Sequence, residues 1–454
     1  MQTICENGLQ RIKNTLKFYT MKKFFLLMLS ALTLANVALA QNLQTGNDRF
    51  SLKVQPFVGS YVSPNGNMEA IDPTFPSGIN FGFEFPSNQQ RPWQQYLNNS
   101  TYGVGISYID NGDKVMGHSV SVYPYIMLNC LRTKHFELAI KMASGLAYCS
   151  ETYWTNTQTD NRDDVTAHFT FGSRLNAYLS GGVNFNFIVN RNLTINTEFG
   201  YYHMSNGRIM EPNMGANVLY GGVGLIATVN PEEDETKPIK FPDLPYRWSL
   251  NVTLSAGSHS ADLTDGHNYF INTFHVGAIY NVCNWYGVGL GADVFYNDAI
   301  NSNTNRGLYV TTNVDGTPKV YKNKDQIRGG VSINNELQFG RVTAMVDWGV
   351  YLYNPVRNFY NDGDSPYYKI GEERPLFYKM HRAGADEAWH YIRFGVKYRV
   401  WDNLYVSTLA KLHMHIAELM EIGVGYNIPF VSKSKRRDSK DIVFHNREGW
   451  WNNY

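Results

Sequence analysis

Residues 192–205, NLTINTEFGYYHMS, show the alternation that decides the fold. The odd positions are largely apolar, with Leu193, Ile195, Thr197, Phe199 and Tyr201. The even positions are mostly polar or small, with Thr194, Asn196, Glu198 and Gly200. A period of two residues is typical of a β-strand whose two faces meet different surroundings. The stretch therefore predicts a strand with one apolar face.

The same pattern recurs along most of the chain, in segments of about ten residues that suit strands crossing a membrane. Tight turns alternate with long polar loops. The turns are near 190–192, 283–284, 340–341 and 401–402. The loops are near 62–77, 150–167, 298–326 and 355–388. Aromatic residues crowd the segment ends, and no convincing helix follows residue 41. These features favour an all-β, antiparallel, transmembrane outer-membrane β-barrel, since a closed barrel leaves no unpaired edge in lipid.

Composition supports this interpretation, and we expect no nucleic acid as a partner. The 454 residues include 40 basic and 39 acidic side chains, so the net charge is only +1. Nothing in so balanced a charge suggests nucleic acid or an acidic partner. The abundance of tyrosine (31), phenylalanine (25) and glycine (39) fits strands with one face in lipid.

The N-terminus predicts export. Residues 21–40 have a basic start at Lys22 and Lys23, an apolar run over 24–34 and a small-x-small cleavage site at 38–40, which together are typical of a secretory signal. Residues 1–20 are interpreted as an upstream extension from a wrong initiation codon. No later segment is long and apolar enough for a transmembrane helix. We therefore expect a bacterial outer-membrane location.

The barrel is predicted to have about sixteen strands in two halves of about eight. The first half spans 41–230, a polar linker follows at 231–245, the second half spans 246–430, and a basic polar tail occupies 431–454. One wide barrel is favoured over two small barrels in tandem, because tandem membrane barrels in one chain would be unusual. The sequence leaves both arrangements open, and it leaves the oligomeric state open.

Residues 203–217 contain the candidate catalytic side chains. His203 and Ser205 are two residues apart on a strand, so both side chains lie on one face. A serine hydroxyl becomes a good nucleophile when an imidazole takes its proton. Asn217 begins the next strand with the parity of an outward residue, so we expect it beside His203, where it would orient the imidazole.

The face on which this pair lies points to a substrate. His203 and Ser205 continue the apolar row of their strand, so they are predicted to face lipid at the outer leaflet. A polar pair on that face costs stability unless it has a use. An acyl ester that already lies in the membrane would supply that use.

The loop between the two strands offers supporting groups. Gly207 and Asn213 are candidate hydrogen-bond donors for an oxyanion, and Asn206 completes the oxyanion and substrate set. Arg208 is either a ligand for a lipid phosphate or a solvated cation. Glu211 is a candidate acid that would bind the His203 imidazole in place of Asn217.

The stretch resembles the lipid A 3-O-deacylase (PagL-type) and acyloxyacyl hydrolase-like outer-membrane family, whose pattern is His-x-Ser-Asn followed by Pro-Asn-x-Gly. The matching positions are His203, Ser205, Asn206, Pro212, Asn213 and Gly215. The resemblance implies a catalytic histidine and serine, an oxyanion role for Asn213, and no metal or organic cofactor. That family completes its triad with a glutamate, whereas this chain has Asn217.

The segment His203 to Arg208, with Asn217, is also similar to the active site of outer-membrane phospholipase A. That resemblance implies a phospholipid substrate and calcium, with Asn213 near the metal. The favoured function is a serine esterase that removes acyl chains from lipopolysaccharide or lipid A. The alternatives are a phospholipase and a passive porin-like barrel with a vestigial site.

The second half contains a loosely similar segment at 413–426, but its parity differs. Leu412 and Met414 share the apolar face of that segment, so His413 is expected on its other face. His203, by contrast, is expected on the apolar face of its strand.

Overall fold

A computed structural model gives the fold. It describes residues 49–62, 75–86, 97–157, 169–231, 244, 246–260, 268–301, 323–355, 389–413 and 416–430. The predicted extension, the signal segment, the basic tail and nearly all of the linker lie outside these residues. Within the described part, no helix is long and apolar enough to cross a membrane.

Eight antiparallel strands form a first closed barrel, in which every strand pairs with its sequence neighbours and β8 returns to β1. The strands are β1 (Phe50–Tyr61), β2 (Ser77–Phe85), β3 (Thr101–Asp110), β4 (His118–Arg132), β5 (Phe136–Cys149), β6 (Leu175–Ile188), β7 (Leu193–Ser205) and β8 (Ala216–Val229). One short helix, α1 (Tyr153–Thr157), follows β5.

A second closed barrel repeats the arrangement, with β16 returning to β9. Its strands are β9 (Trp248–Ser260), β10 (Asn268–Cys283), β11 (Tyr286–Asn297), β12 (Ile327–Phe339), β13 (Val342–Tyr353), β14 (His390–Arg399), β15 (Leu404–His413) and β16 (Ile416–Phe430). The all-β barrel fold and the count of about eight strands in each half are confirmed.

The preference for one wide sixteen-stranded barrel is wrong. β1 pairs with β8 from Phe50 opposite Val229 to Tyr61 opposite Val218, which closes the first half on itself. The physical reason lies in the inward side chains, which are long enough to meet across a lumen of eight strands but not of sixteen.

Buried ion pairs in both lumens show this narrow bore. In the first barrel, Lys53 Nζ on β1 lies 2.8 Å from Glu198 Oε2 on β7, and Lys141 Nζ on β5 lies 2.5 Å from Glu198 Oε1. In the second barrel, Arg393 pairs with Asp293. All these side chains are almost fully buried, so each lumen is occupied by side chains whose opposite charges pair across it.

The outer faces carry the apolar rows that the alternation predicts. On β7, Ile195, Phe199 and Tyr201 are exposed, whereas the alternating Asn196 and Glu198 are buried in the lumen. Exposed apolar residues recur on most strands, among them Val104, Leu146, Leu219, Val223, Leu254, Leu290 and Ile422. An apolar band of this kind around a closed barrel is the lipid-facing surface of an outer-membrane protein.

Candidate active site

Two neighbouring strands bring the three predicted catalytic side chains together. His203 near the end of β7 lies directly opposite Asn217 near the start of β8. Ser205 follows on the same face of β7. His203 Nε2 lies 2.7 Å from Ser205 Oγ, and His203 Nδ1 lies 2.7 Å from Asn217 Oδ1. The structure therefore joins the three side chains in one hydrogen-bonded chain.

The acceptor at Nδ1 fixes the proton on the imidazole. The Asn217 Oδ1 atom accepts hydrogen bonds and cannot donate one, so it requires a proton on His203 Nδ1. The Nε2 atom of a neutral imidazole then has a lone pair directed at the Ser205 hydroxyl. This is the tautomer in which a histidine acts as a general base toward serine.

The site lies on the outer face of the first barrel. Ser205 and His203 continue the outward row of Phe199 and Tyr201, whereas Tyr202 and Met204 point into the lumen and are fully buried. Ser205 is 6% exposed, so its side chain is nearly buried although it lies on this outer row. This placement agrees with the predicted outward parity of the pair.

Gly215 allows the loop to approach the histidine closely. A Cβ atom at this position would lie 2.9 Å from His203 Cε1 and 3.2 Å from Ser205 Cβ, which is too close. The residue also has φ of +72°, a conformation that L side chains rarely adopt. The Gly of the Pro-Asn-x-Gly motif is thus required for the loop to pack over the site.

The Asn213 side chain is oriented by a hydrogen bond to its oxygen, so its amide nitrogen is the group that could donate. Its Oδ1 accepts a hydrogen bond from the backbone N–H of Asn206 at 2.9 Å. A backbone N–H can only donate, so this contact fixes which end of the amide is oxygen. The Nδ2 group of Asn213 is then the end that could donate to an oxyanion.

The other polar side chains of the loop hold its shape. Asn206 Nδ2 donates to Ser173 Oγ at 2.9 Å and to the Met210 carbonyl at 2.8 Å. Arg208 Nε lies 2.8 Å from Glu211 Oε1. Asn217, and not Glu211, occupies the position beside His203 Nδ1, so the structure gives no support to Glu211 as the substitute acid.

Tyr201 is a contributor that the sequence analysis treated only as part of the apolar row. Its hydroxyl donates a hydrogen bond to Asn217 Oδ1, the same atom that His203 Nδ1 contacts. Two donors on one oxygen hold the Asn217 amide in the orientation that the histidine needs. Its position two residues before His203, on the same strand face, is the signal that could have identified it.

No group of three or more histidine, cysteine, aspartate or glutamate side chains in the described residues could hold a metal ion. Asp298, which follows β11 in the second barrel, accepts hydrogen bonds at its Oδ1 from Tyr296 Oη and Gln326 Nε2, at 3.1 Å each.

Two family models match the chain, one for each barrel. The model described as lipid A 3-O-deacylase (PagL) matches residues 77–225, which include the whole site. The model described as acyloxyacyl hydrolase, C-terminal domain, matches residues 248–371 and 376–430. No curated protein matches the chain in sequence.

Several solved structures match parts of the chain. The outer-membrane enzyme PagL is 18% identical over 39% of this chain and 98% of its own, with a TM-score of 0.25. Neisserial surface protein A is 9% identical over 41% and 97%, with a TM-score of 0.26. The attachment invasion protein Ail of Yersinia pestis is 12% identical over 40% and 99%, with a TM-score of 0.25.

Proposed function

Because the chain belongs to the lipid A 3-O-deacylase (PagL) family, and is an outer-membrane enzyme that deacylates lipid A, we propose that it acts as a serine esterase with Ser205, His203 and Asn217 as its catalytic side chains. The observation that carries the proposal is the position of the His203 imidazole, which bridges Ser205 Oγ and Asn217 Oδ1 at 2.7 Å on either side. A base between a nucleophile and an orienting acceptor is the arrangement that covalent acyl transfer needs.

The reaction would proceed in two halves. Ser205 Oγ attacks the ester carbonyl while His203 Nε2 takes its proton. The tetrahedral intermediate collapses when the bond to the sugar oxygen breaks and His203 gives that proton to the departing oxygen, which leaves as a hydroxyl. Water, activated by the same imidazole, then releases the fatty acid from Ser205. The Nδ2 group of Asn213 and the backbone N–H of Gly207 would stabilise the oxyanion in both halves.

Asn217 would act by orientation and not by charge. A carboxylate at this position would both hold the imidazole and stabilise its positive charge, whereas a neutral amide supplies only the first effect. The Tyr201 hydroxyl supports that effect, since it fixes the amide oxygen toward His203. We infer that the asparagine site remains competent because the correct tautomer is retained.

The outward placement of the site fits a substrate that lies in the membrane. Ser205 is on the lipid-facing row of β7, so an acyl ester of a membrane lipid could reach it by lateral diffusion without entering a lumen. We propose that Arg208 contributes guanidinium donors to a lipid phosphate while its Nε remains paired with Glu211. We further propose that residues 21–40 direct secretion to the outer membrane.

Fatty-acid release by the purified protein tests this function. The protein beginning at Gln41 would be refolded in detergent and incubated with lipopolysaccharide or with phospholipid, alongside Ser205→Ala. Release from lipopolysaccharide that disappears in Ser205→Ala is the expected result. Release that persists in a folded Ser205→Ala variant would exclude the proposed nucleophile.

The same assay with a chelator distinguishes the two esterase resemblances. The proposed mechanism uses no metal, so activity on lipopolysaccharide should persist in the chelator. A preference for phospholipid together with loss of activity in the chelator and recovery on addition of calcium would favour the phospholipase alternative.

A further inference from the structure

Two contacts join the 206–215 loop of the first barrel to the second barrel. The backbone N–H of Ser260, the last residue of β9, donates to the Arg208 carbonyl at 2.8 Å. Met420 on β16 packs its side chain against Gly207. Both contacts fall within three residues of Ser205, so the second barrel touches the proposed catalytic site directly.

The Met420 contact occupies space that only glycine leaves open. A Cβ atom at Gly207 would lie 2.1 Å from Met420 Cγ and 2.5 Å from Met420 Sδ. Met420 is half-buried, whereas the next two outward residues of β16, Ile422 and Val424, are exposed. One residue of an otherwise lipid-facing row is therefore used to pack on the turn beside the nucleophile.

The turn at residues 207–208 is closed by the Ile209 N–H, which donates to the Asn206 carbonyl at 3.3 Å, and it receives a further contact from the second barrel. Gly207 and Arg208 are consecutive residues with φ of +60° and +72°. The left-handed region is accessible to glycine but disfavoured for a residue with a Cβ atom, such as Arg208. The Ser260 N–H binds the Arg208 carbonyl, so it fixes the peptide plane that follows this disfavoured conformation.

The other end of the loop is anchored by backbone hydrogen bonds to the first barrel. The Met214 N–H donates to the Phe169 carbonyl at 3.1 Å, and the Gly215 N–H donates to the Thr170 carbonyl at 3.0 Å. The Asn213 end, with its amide donor, is thus anchored within its own barrel. The Gly207 end is the part that contacts β9 and β16.

We propose that the second barrel is a positioning element of the esterase site. Through Met420 and the Ser260 N–H it holds the turn at residues 207–208, and thereby the Gly207 N–H that donates to the oxyanion. This inference rests on the proposed function of the first barrel. It gives residues 248–430 a role in the reaction, although their own strands carry none of the proposed catalytic side chains.

Variants of Met420 test the packing contact in the full chain. In Met420→Ala, kcat for fatty-acid release from lipid A in mixed micelles should fall about fivefold or more, and KM should change little. The reason is that loss of an oxyanion donor destabilises the transition state and does not affect substrate binding. Met420→Leu has nearly the same volume and should restore most of that rate. Ile422→Ala, two residues along the same row, is the matched control and should match the wild type.

A backbone variant tests the hydrogen bond. Ser260→Pro removes the N–H, whereas Ser260→Ala keeps it, so kcat in the proline variant should fall about fivefold or more below that of the alanine variant. Folding of both variants would be checked by the heat-dependent shift in gel migration that closed barrels show. If Ser260→Pro does not fold, the Met420 series carries the test.

The outcomes separate this inference from the proposed function. An unchanged kcat in Met420→Ala, or a raised KM at constant kcat, would overturn the positioning role. If Ser205→Ala has no activity in the same experiment, the esterase site itself stands. If Ser205→Ala retains the wild-type rate, both the proposed function and the positioning role fail.

Discussion

The two barrels have the same strand number and topology, yet one histidine is placed differently in each. His203 near the end of β7 faces outward and binds Ser205 and Asn217. His413 at the end of β15 faces the lumen and is 2% exposed, with Nε2 at 3.1 Å from Tyr351 Oη and 3.7 Å from Glu418 Oε2. Strand position is matched, but side-chain direction is opposite.

This difference shows that parity, and not fold, decides which barrel carries the proposed site. A shift of one residue along a strand moves a side chain from the lipid face to the lumen. Outside, a polar histidine can meet a membrane lipid. Inside, it belongs to a packed network in which the Glu418 carboxylate lies against both Arg328 and Lys411 as well as His413.

The largest effect should come from substituting the two histidines in turn. His203→Ala should lower the rate of deacylation by about 10³-fold, because it removes the general base. His413→Ala should leave the deacylation rate unaltered, since that side chain lies in the other lumen. Fatty-acid release from lipid A measures both, and an equal loss in the two variants would show that the comparison between the barrels is mistaken.

Asn213 should give the next largest effect. Asn213→Ala removes the proposed oxyanion donor, and kcat should fall by about 10²-fold with KM nearly constant. Steady-state kinetics on lipid A micelles provide both constants. A variant in which only KM rises would assign Asn213 to substrate binding instead.

Tyr201 should give a smaller effect that sharpens the account of Asn217. Tyr201→Phe keeps the ring on the outer face and removes one hydrogen bond worth about 1 kcal/mol, so kcat should fall about fivefold. Phe199→Leu is a suitable control on the same row, because Phe199 makes no hydrogen bond with its side chain. A full rate in Tyr201→Phe would mean that Asn217 is held without this hydroxyl.

The smallest signal is expected from ion conductance. Both lumens contain buried ion pairs that cross the bore, such as Lys53 with Glu198 and Lys397 with Glu336. Eight-stranded barrels of this kind are filled by their side chains, so planar bilayers containing the protein should show no stable channel. Steady single-channel steps would favour the porin-like alternative.

Much of the fold and the site could be predicted from local sequence. Alternation along β7 indicates the strand and its lipid face, and the separation of His203 from Ser205 by two residues places them together. Asn217 could be assigned because β8 follows through a single loop. All three inferences need only the period of a strand and one hairpin.

The remaining features depend on residues far apart in the chain. Closure into two barrels is seen in contacts across a lumen, such as that of Lys53 with Glu198. Alternation does not predict such contacts, because the strands would alternate in the same way in one wide barrel and in two small ones. The contacts of Ser260 and Met420 with the 206–215 loop likewise join separate barrels. Such pairings follow from tertiary packing, and a local pattern does not contain them.

The most direct test of the central claim is covalent labelling of the folded protein with a long-chain alkyl fluorophosphonate, followed by peptide mass spectrometry. We expect a single adduct on Ser205, absent in His203→Ala and present in His413→Ala. Labelling of another residue, or an adduct on Ser205 that forms equally fast without His203, would contradict it.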